Sequence, residues 1–452
     1  MRVAVLGGGI AGLSAAFRLQ SAGAFVVLYE AAGRLGGVIS TVRRDGFLIE
    51  EGPDSFITEK PAAREQIERL GLGDQLIGTR PESRQSFVAA GGRLIPTPEG
   101  FYLLGPSDLA RFWKSPLLSW PGKARASLEM WLPRRRRPPE DESLGSFVRR
   151  RFGQEMLERV AQPMVGGIYG ADPEELSLAS TFPRFLEMER EHGSVIRALQ
   201  KRGHTARAAS GPRYGLFATL RDGLGRWVEA LAGHIGQVRL DTPVTALEPS
   251  SNPPDWRVRT ARDAEPYDAV IAALPAHAMA MLARGFDPAL ARELEEIRYG
   301  SSVTLSMAFR ESALGRPLEG SGFVVPAIEA LPLVACTFAH QKFEGRAPVG
   351  YALIRAFMSD AALGWDDADA ESRALEPLAK LLQLKERPLF SVVSRHPRAM
   401  PRYRVGHGAV VRGIEERART HRGLYLAGAA YHGVGTPDCV ASGERAADQA
   451  LA

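Results

Sequence analysis

The sequence predicts an α/β fold in which a parallel-sheet domain is assembled from discontinuous stretches of chain and carries an inserted α+β domain. Three observations carry that expectation. The chain opens on a strand, a glycine-rich turn, a helix and a second strand within its first thirty residues, the pattern of a βαβ unit. It closes on a short apolar strand, another glycine-rich turn and a helix. Between these ends, helical stretches come first and alternating β-branched and aromatic runs follow, as in an inserted helical lobe and an antiparallel sheet.

Taken in order, Arg2–Leu6 is a short apolar strand, Gly7-Gly8-Gly9-Ile10-Ala11-Gly12 a turn, and Leu13–Ser21 a helix stopped by Gly23. Phe25–Tyr29 is the second strand. From Gly71 to Pro98 the chain reads as turn-rich, and from Gly105 to Leu132 as bulky and helical, with Trp113, Trp120 and Trp131 expected in a buried or channel-lining role. Arg134–Arg137, set between prolines and followed by Glu140-Asp141-Glu142, reads as a solvated connector. Ser143–Met164 and Leu176–Lys201 are expected as helices, and His204–Pro212 as a mobile loop. A helix is expected over Leu224–Ile235, then strands over Val238–Leu240, Val244–Glu248, Trp256–Thr260 and Tyr267–Leu274. Ser301–Phe309, Gly322–Val325, Leu333–Phe338 and Gly350–Phe357 should form the antiparallel sheet, with Leu424–Ala427 and Ala441–Ala452 closing the fold as strand and helix.

Composition removes several classes of function. The 452 residues are 45% apolar and 24% charged, which suits two or three packed domains and excludes general disorder. Cys336 and Cys439 are the only two cysteines and lack C-x-x-C spacing, so no disulfide framework, zinc site or iron–sulfur site is expected; two cysteines fit a reducing cytoplasm. Met1-Arg2 leads straight into an apolar run without the regions of an export signal, and the most apolar window, Ala269–Ala283, is interrupted by Pro275 and too short to span a bilayer. The 57 Lys and Arg against 52 Asp and Glu leave a formal +5, which favours anionic ligands without identifying one; nucleic acid is not expected. The nine histidines hold no pair at metal spacing, and neither a G-x-S-x-G nor a P-loop motif occurs.

The chemistry-bearing motifs lie at the two ends. Gly7, Gly9 and Gly12 follow a strand and open a helix, which is the context in which a helix N-terminus holds a pyrophosphate, and Glu30 ends the second strand where a carboxylate can accept from ribose hydroxyls. The extension Glu30-Ala31-Ala32-Gly33-Arg34-Leu35-Gly36-Gly37 resembles the FAD-binding signature of the amine-oxidase-like flavoproteins, and Gly52-Pro53-Asp54-Ser55 matches the second loop of that family, which runs along the flavin. The stretch from Leu424 to Cys439, with Gly428, His432, Gly433, Val434, Gly435 and Asp438, resembles the C-terminal flavin motif of the HemY-type porphyrinogen oxidases. Pro163–Asp172, Leu176–Pro183 and Met400–His407 echo the same family in the same order.

That resemblance implies a Rossmann-like FAD-binding domain in three pieces, 1–75, 221–298 and 395–452, with a substrate domain inserted as 76–220, mostly helical, and 299–394, an antiparallel sheet. It implies non-covalent FAD held by Gly7, Gly8, Gly9, Ile10, Ala11, Gly12, Glu30, Ala31, Arg34, Gly36, Gly37, Gly52, Pro53, Asp54, Ser55, Val244, Gly428, Gly433, Val434 and Gly435. Arg34 is expected as a cation near the pyrophosphate, and His432 as a packing residue and not a base. On the substrate side it implies Gly167 and Ile168 beside the reacting ring, Phe323 and Val324 on the pocket wall, and Lys60 and Arg355 as cations for carboxylates.

Ser86 stands where the animal and plant protoporphyrinogen oxidases place an Arg for a propionate, a departure that resembles the Gram-positive branch acting on coproporphyrinogen III. The activity implied is oxygen-dependent oxidation of coproporphyrinogen III to coproporphyrin III with release of H2O2, in haem biosynthesis and in the cytoplasm. No side-chain acid or base is demanded and no metal is expected. A protoporphyrinogen IX oxidase, a flavin amine oxidase or a non-enzymatic FAD-bearing protein of the haem pathway remain alternatives. A transient contact with the next haem-pathway enzyme and a peripheral membrane contact stay open.

Overall fold

The computed structural model describes residues 1–135, 139–206, 216–250 and 252–452. Arg136, Arg137 and residues 207–212 of the expected loop lie outside the described residues, while residues 204–206 continue the Val195–Ala206 helix. A five-stranded parallel sheet forms the first layer, in the spatial order Gln237–Arg239, Phe25–Tyr29, Arg2–Leu6, Ala269–Ala272, Leu424–Leu426. Three distant stretches of chain therefore build one sheet, as the α/β expectation required. Val3, Val5, Val26, Leu28 and Ile271 are buried on one face and Ala4, Leu6, Val27 and Val270 on the other, the two-sided burial that makes parallel strands near-continuous apolar runs.

The Ile10–Ser21 helix covers one face together with the Thr436–Leu451 helix. These two come into backbone contact, because a Cβ at Gly443 would overlap the Ala11 carbonyl. Buried Gln66 knits the same layer: its amide oxygen accepts from Ser14 Oγ at 3.1 Å and Trp227 Nε1 at 3.1 Å, and its amide nitrogen donates to Glu444 at 2.9 Å. The other face is covered by Ala276–Ala283, Pro288–Glu295 and His407–Ala418.

A seven-stranded sheet makes the second layer, in the order Phe390–Pro401, Tyr299–Arg310, Tyr351–Met358, Leu333–Phe338, Gly322–Val324, Ser86–Ala90, Arg93–Pro96. The last two strands correct the turn-rich reading of Gly71–Pro98: Ser86–Ala90 joins the sheet in parallel with Gly322–Val324, a pairing no local pattern announces. Its two faces differ in chemistry. Val303, Leu305, Met307, Phe309, Ile354, Ala356, Phe323 and Phe338 form a core against Ala374, Leu378 and Leu382 of the Asp367–Leu382 helix. Thr304, Ser306, Ser394 and Arg355, which alternate with those residues along the strands, are also buried but polar.

The helical lobe is broken more often than the sequence suggests. Ser143–Met164 divides at Gly153 into Leu144–Phe152 and a helix from Gln154 to Tyr169 that passes through a π-turn at Leu157–Ala161. Leu176–Lys201 divides into Leu178–Thr181, Pro183–His192 and a helix beginning at Val195. Phe112 is buried, but Trp120 and Trp131 are 69% and 66% exposed, which corrects their expected buried role; Trp113 is half-buried. Among the described residues, no helix is long and apolar enough to cross a membrane.

At the heart of this lobe is a buried ion pair. Arg151, fully buried, donates to Glu129 through Nε at 2.9 Å and through Nη2, and to the carbonyls of Leu132, Pro133 and Gly193. Glu129 also accepts from Ser194 Oγ and from the amides of Val195 and Ile196, capping the Val195–Ala206 helix. Glu129→Ala takes away the carboxylate that Arg151 holds most directly and leaves only Glu189, 3.5 Å away and shared with Arg150, so it should cost about 3–5 kcal/mol. A clear drop in the chemical denaturation midpoint checks this, and an unchanged midpoint would contradict it.

Candidate functional site

Three glycine-rich segments meet at the ends of the parallel strands. Gly7 turns the chain out of the first strand with φ +100°, and its amide donates to the Tyr29 carbonyl at 2.8 Å. Gly9 caps the Ile10–Ser21 helix with no side-chain hydrogen bond, and a Cβ built on it meets nothing within 4 Å. The first turn of that helix thus has no side-chain cap and open space beside its cap residue, a cradle of the kind that takes a phosphate group.

Glu30 braces the same turn. Its carboxylate accepts from Gly8 N–H at 2.6 Å and Ala32 N–H at 2.8 Å, and each oxygen keeps a further lone pair for a ligand. Arg34 is used differently from the sequence expectation, since its guanidinium donates to the carbonyls of Leu35, Gly37 and Ile39 at 2.8–3.2 Å. It shapes the second glycine turn, where Gly36 N–H donates to Gly8 O at 2.8 Å and brings Gly37 against Gly9. Ala31 and Gly33 are exposed beside that turn, and Val244 is half-buried at the edge of the adjoining core.

The Glu51–Ser55 segment is gripped from the antiparallel sheet. The Glu51 carbonyl accepts from Arg355 Nη2 at 2.9 Å, from His396 Nε2 at 2.9 Å and from Thr304 Oγ1 at 3.2 Å. Asp54 accepts from Lys342 Nζ at 2.9 and 3.0 Å and from Ser55 Oγ at 2.7 Å. Burial alone would raise the Asp54 pKa, but Lys342, Arg355 and the Ser55 hydroxyl outweigh it and pull the pKa down to about 2. Gly52 packs so closely on the Val38 carbonyl that a side chain there would overlap it.

The two cations expected to meet substrate carboxylates are both engaged within the protein. Arg355 is 4% exposed and committed to Glu51 and Thr304, while its Nε is buried with no hydrogen-bond partner. Burial lowers its pKa, against the fields of Asp54, Glu50 and Glu51. Lys60, half exposed, bonds both oxygens of Asp438 at 2.7 and 2.8 Å and so ties the turn before Ala62–Arg69 to the first turn of the C-terminal helix.

The C-terminal loop completes the constellation. Gly428 N–H donates to Ser442 Oγ at 3.0 Å, Gly433 has φ +144° and lies against Asp438, and Gly435 caps the Thr436–Leu451 helix with no side-chain hydrogen bond. His432 is exposed on the outer side of the loop and pairs with Glu415 at 2.5 Å, a polar surface contact and not the packing contact expected. Val434 and Val324 both pack on the apolar cluster of the helical lobe. Phe323, expected beside Val324 on a pocket wall, is 2% exposed in the core behind the sheet, edge-on to Phe338, because neighbouring residues of a strand face opposite ways. Gly167 and Ile168 lie in the last turn of Gln162–Tyr169, a helix joined to the loop after Gly322–Val324 by Ala327 N–H donating to Gln162 at 2.9 Å.

Five residues that hold this site were not singled out one by one in the sequence: Thr304, Lys342, His396, Tyr403 and Ser442. Only Tyr403 sits in a motif, Met400–His407, that the sequence brought forward. The others come from strands, turns or helix faces whose neighbours the fold alone decides.

Two helix N-termini without side-chain caps, a ribose-type carboxylate and three glycine turns make a dinucleotide-type cradle, and the class of protein is a flavoprotein oxidoreductase. The chain belongs to the flavin-containing amine oxidoreductase family, which it matches over residues 10–451. It is 35% identical to the coproporphyrinogen III oxidase of Propionibacterium freudenreichii subsp. freudenreichii, covering 99% of this chain and 90% of the relative. It is 33% identical to the coproporphyrinogen III oxidase of Bacillus subtilis (99% and 97% covered) and 30% identical to human protoporphyrinogen oxidase (99% and 98% covered). A crystal structure from Exiguobacterium superposes with a TM-score of 0.87 at 33% identity, covering 99% of this chain and 98% of that one. A reduced UDP-galactopyranose mutase shares the fold with a TM-score of 0.73 at 16% identity.

Two outcomes are expected from this geometry. Glu30→Ala should weaken flavin binding by about 1–3 kcal/mol, the worth of hydrogen bonds to a charged group; titration of apoprotein with the cofactor reads it, and an unchanged Kd would separate Glu30 from the site. The depressed Asp54 pKa means that its contribution to stability is complete above the ordinary carboxylate range and is lost as pH falls from about 4 through about 2. Lys342→Met removes the nearest cation, so the acid-unfolding midpoint should move to higher pH, and a midpoint at or below the wild-type value would contradict the assignment.

Proposed function

We propose that this protein holds FAD non-covalently and oxidises coproporphyrinogen III to coproporphyrin III with O2 as acceptor, in a reducing cytoplasm. Six hydrogens leave the macrocycle in three rounds, each of which converts one O2 to H2O2. FAD, when bound, supplies the hydride acceptor and hands the electron pair to O2. The observation that carries the reading is the pair of helix N-termini without side-chain caps, at Gly9 and Gly435, in a chain similar along its length to coproporphyrinogen III oxidases.

The residues divide the work between cofactor and substrate. First-turn amides of Ile10, Ala11 and Gly12 receive the pyrophosphate, and Glu30 accepts from the ribose while bracing Gly8. The Gly428–Gly435 loop presents amides and the positive end of the Thr436–Leu451 helix to the flavin edge that gains negative charge on reduction. Gly52–Ser55 runs along the flavin, fixed by Lys342 and by the grip on Glu51. The Gly167–Ile168 backbone and Val324 bound the space for the macrocycle, and their task is to orient the ring and exclude water. Two buried free cysteines, Cys336 and Cys439, suit a reducing compartment.

Substrate choice rests on Ser86. Its hydroxyl bonds Thr97 Oγ1 at 2.7 Å within the Ser86–Ala90 and Arg93–Pro96 hairpin and brings no charge to that edge. A dicarboxylate substrate is left without a cation there, whereas a tetracarboxylate can engage Lys60, which is half exposed and keeps one ammonium hydrogen beyond its two bonds to Asp438, or Arg184, which pairs with Glu59. The test is kcat/KM on coproporphyrinogen III and protoporphyrinogen IX at two ionic strengths, alongside the flavin spectrum. A clear preference for the tetracarboxylate that weakens with salt is expected. Equal or better turnover of protoporphyrinogen IX would overturn the substrate while leaving the flavin oxidase chemistry in place.

A further inference from the structure

The Met400–His407 segment stands out in the sequence without an obvious task, and the structure shows it wedged between the helical lobe and the C-terminal glycine loop. Tyr403 is 1% exposed. Its hydroxyl donates to the Ala429 carbonyl at 2.6 Å and accepts from Gly433 N–H at 2.7 Å, so a single oxygen spans both ends of the loop that leads into the Thr436–Leu451 helix. Its ring is stacked on His407 with centroids 3.9 Å apart and planes 14° from parallel. Burial lowers the His407 pKa to about 4, which keeps the ring neutral, and its Nε2 lies 3.2 Å from the Tyr431 carbonyl of the same loop.

The main chain of the segment is tied equally firmly to the other lobe. Ser177 N–H donates to the Tyr403 carbonyl at 2.7 Å, Val405 N–H to the Glu175 carbonyl at 2.9 Å, and Gly406 N–H to Asp141 at 2.9 Å. We propose that Tyr403 is a positioning residue that, through its hydroxyl, sets where the Gly428–Gly435 amides point and thereby tunes the bound flavin from the substrate-lobe side. This rests on the FAD reading given above.

The physical reason lies in the loop itself. Gly433 holds φ +144°, and a side chain there would run into Asp438. Glycine reaches this conformation without strain but is equally free to leave it, so hydrogen-bond partners are what fix the loop. Without the phenol oxygen, the Gly433 amide and Ala429 carbonyl lose their shared partner, and the amides that face developing negative charge relax. Stabilisation of the reduced flavin falls more than that of the oxidised form, because the charge being served exists only after reduction. The ring of Phe would keep the stack on His407 and remove only the hydroxyl.

The experiment compares Tyr403→Phe with wild type as flavin-loaded protein. Expected are wild-type flavin content, kcat at least tenfold lower with KM changed less than twofold, and a tenfold loss of relative affinity for the reduced flavin. For a two-electron couple that loss is a fall of about 30 mV in midpoint potential. A folded variant with unchanged potential and kcat would reduce Tyr403 to packing and overturn the proposal. If the variant does not fold, hydrogen exchange on wild type decides: the Gly433 amide should be protected at least a hundredfold, and an unprotected rate overturns the clamp. Wild-type protein without flavin would overturn both readings. Wild-type protein with flavin but no porphyrinogen turnover would overturn the substrate alone, since the potential still tests Tyr403.

Discussion

One backbone carbonyl, that of Glu51, organises the contact between the two layers of this protein. Three donors from three strands of the antiparallel sheet, Arg355, His396 and Thr304, converge on it, and a few residues further on Lys342 secures Asp54 and Ser55. The sheet face that supplies them is buried yet polar, an arrangement that is costly unless each group finds a partner. An apolar face would have let the two layers slide, whereas directional bonds admit one register. The burial of Arg355 beside Asp54 has the same consequence: its guanidinium stays charged, and the surrounding carboxylates and the Glu51 carbonyl offset the cost of burying it.

The same joint ties the two layers together although the chain crosses between them several times. Tyr403 repeats the device where the helical lobe meets the C-terminal loop, and Lys60 on Asp438 repeats it within the first layer. In each case a side chain from one stretch of chain binds a distant stretch beside the candidate site. The helix N-termini at Gly9 and Gly435 are set in a frame held by these contacts, and fixed dipoles count most where the frame around them is fixed.

Much of this was legible before any coordinates. The βαβ opening, the glycine turns, Glu30 and the C-terminal motif are local patterns with a local physical meaning, and they lie where the sequence placed them. The strands Ser301–Phe309 and Leu333–Phe338 were equally plain from their alternation. What escaped was non-local. Ser86–Ala90 looked like a turn region because its strand character depends on a partner more than two hundred residues away. Phe323 and Val324 were read as neighbours on one wall, but the pleat sends them to opposite faces. Trp120 and Trp131 were judged by bulk, and bulk does not say which side of a short helix meets solvent.

The sequence by itself determined the class of fold, the flavin-type ends and the absence of a charge at Ser86, because each depends on residue type and spacing along a few consecutive positions. Tertiary structure alone decided the work of the charged residues. Arg34, Lys60 and Arg355 were all candidates for a ligand, yet one shapes a turn, one pins a helix and one is buried under Glu51. A cation attracts any anion or carbonyl within reach, and which one lies within reach is set by the packing of distant segments.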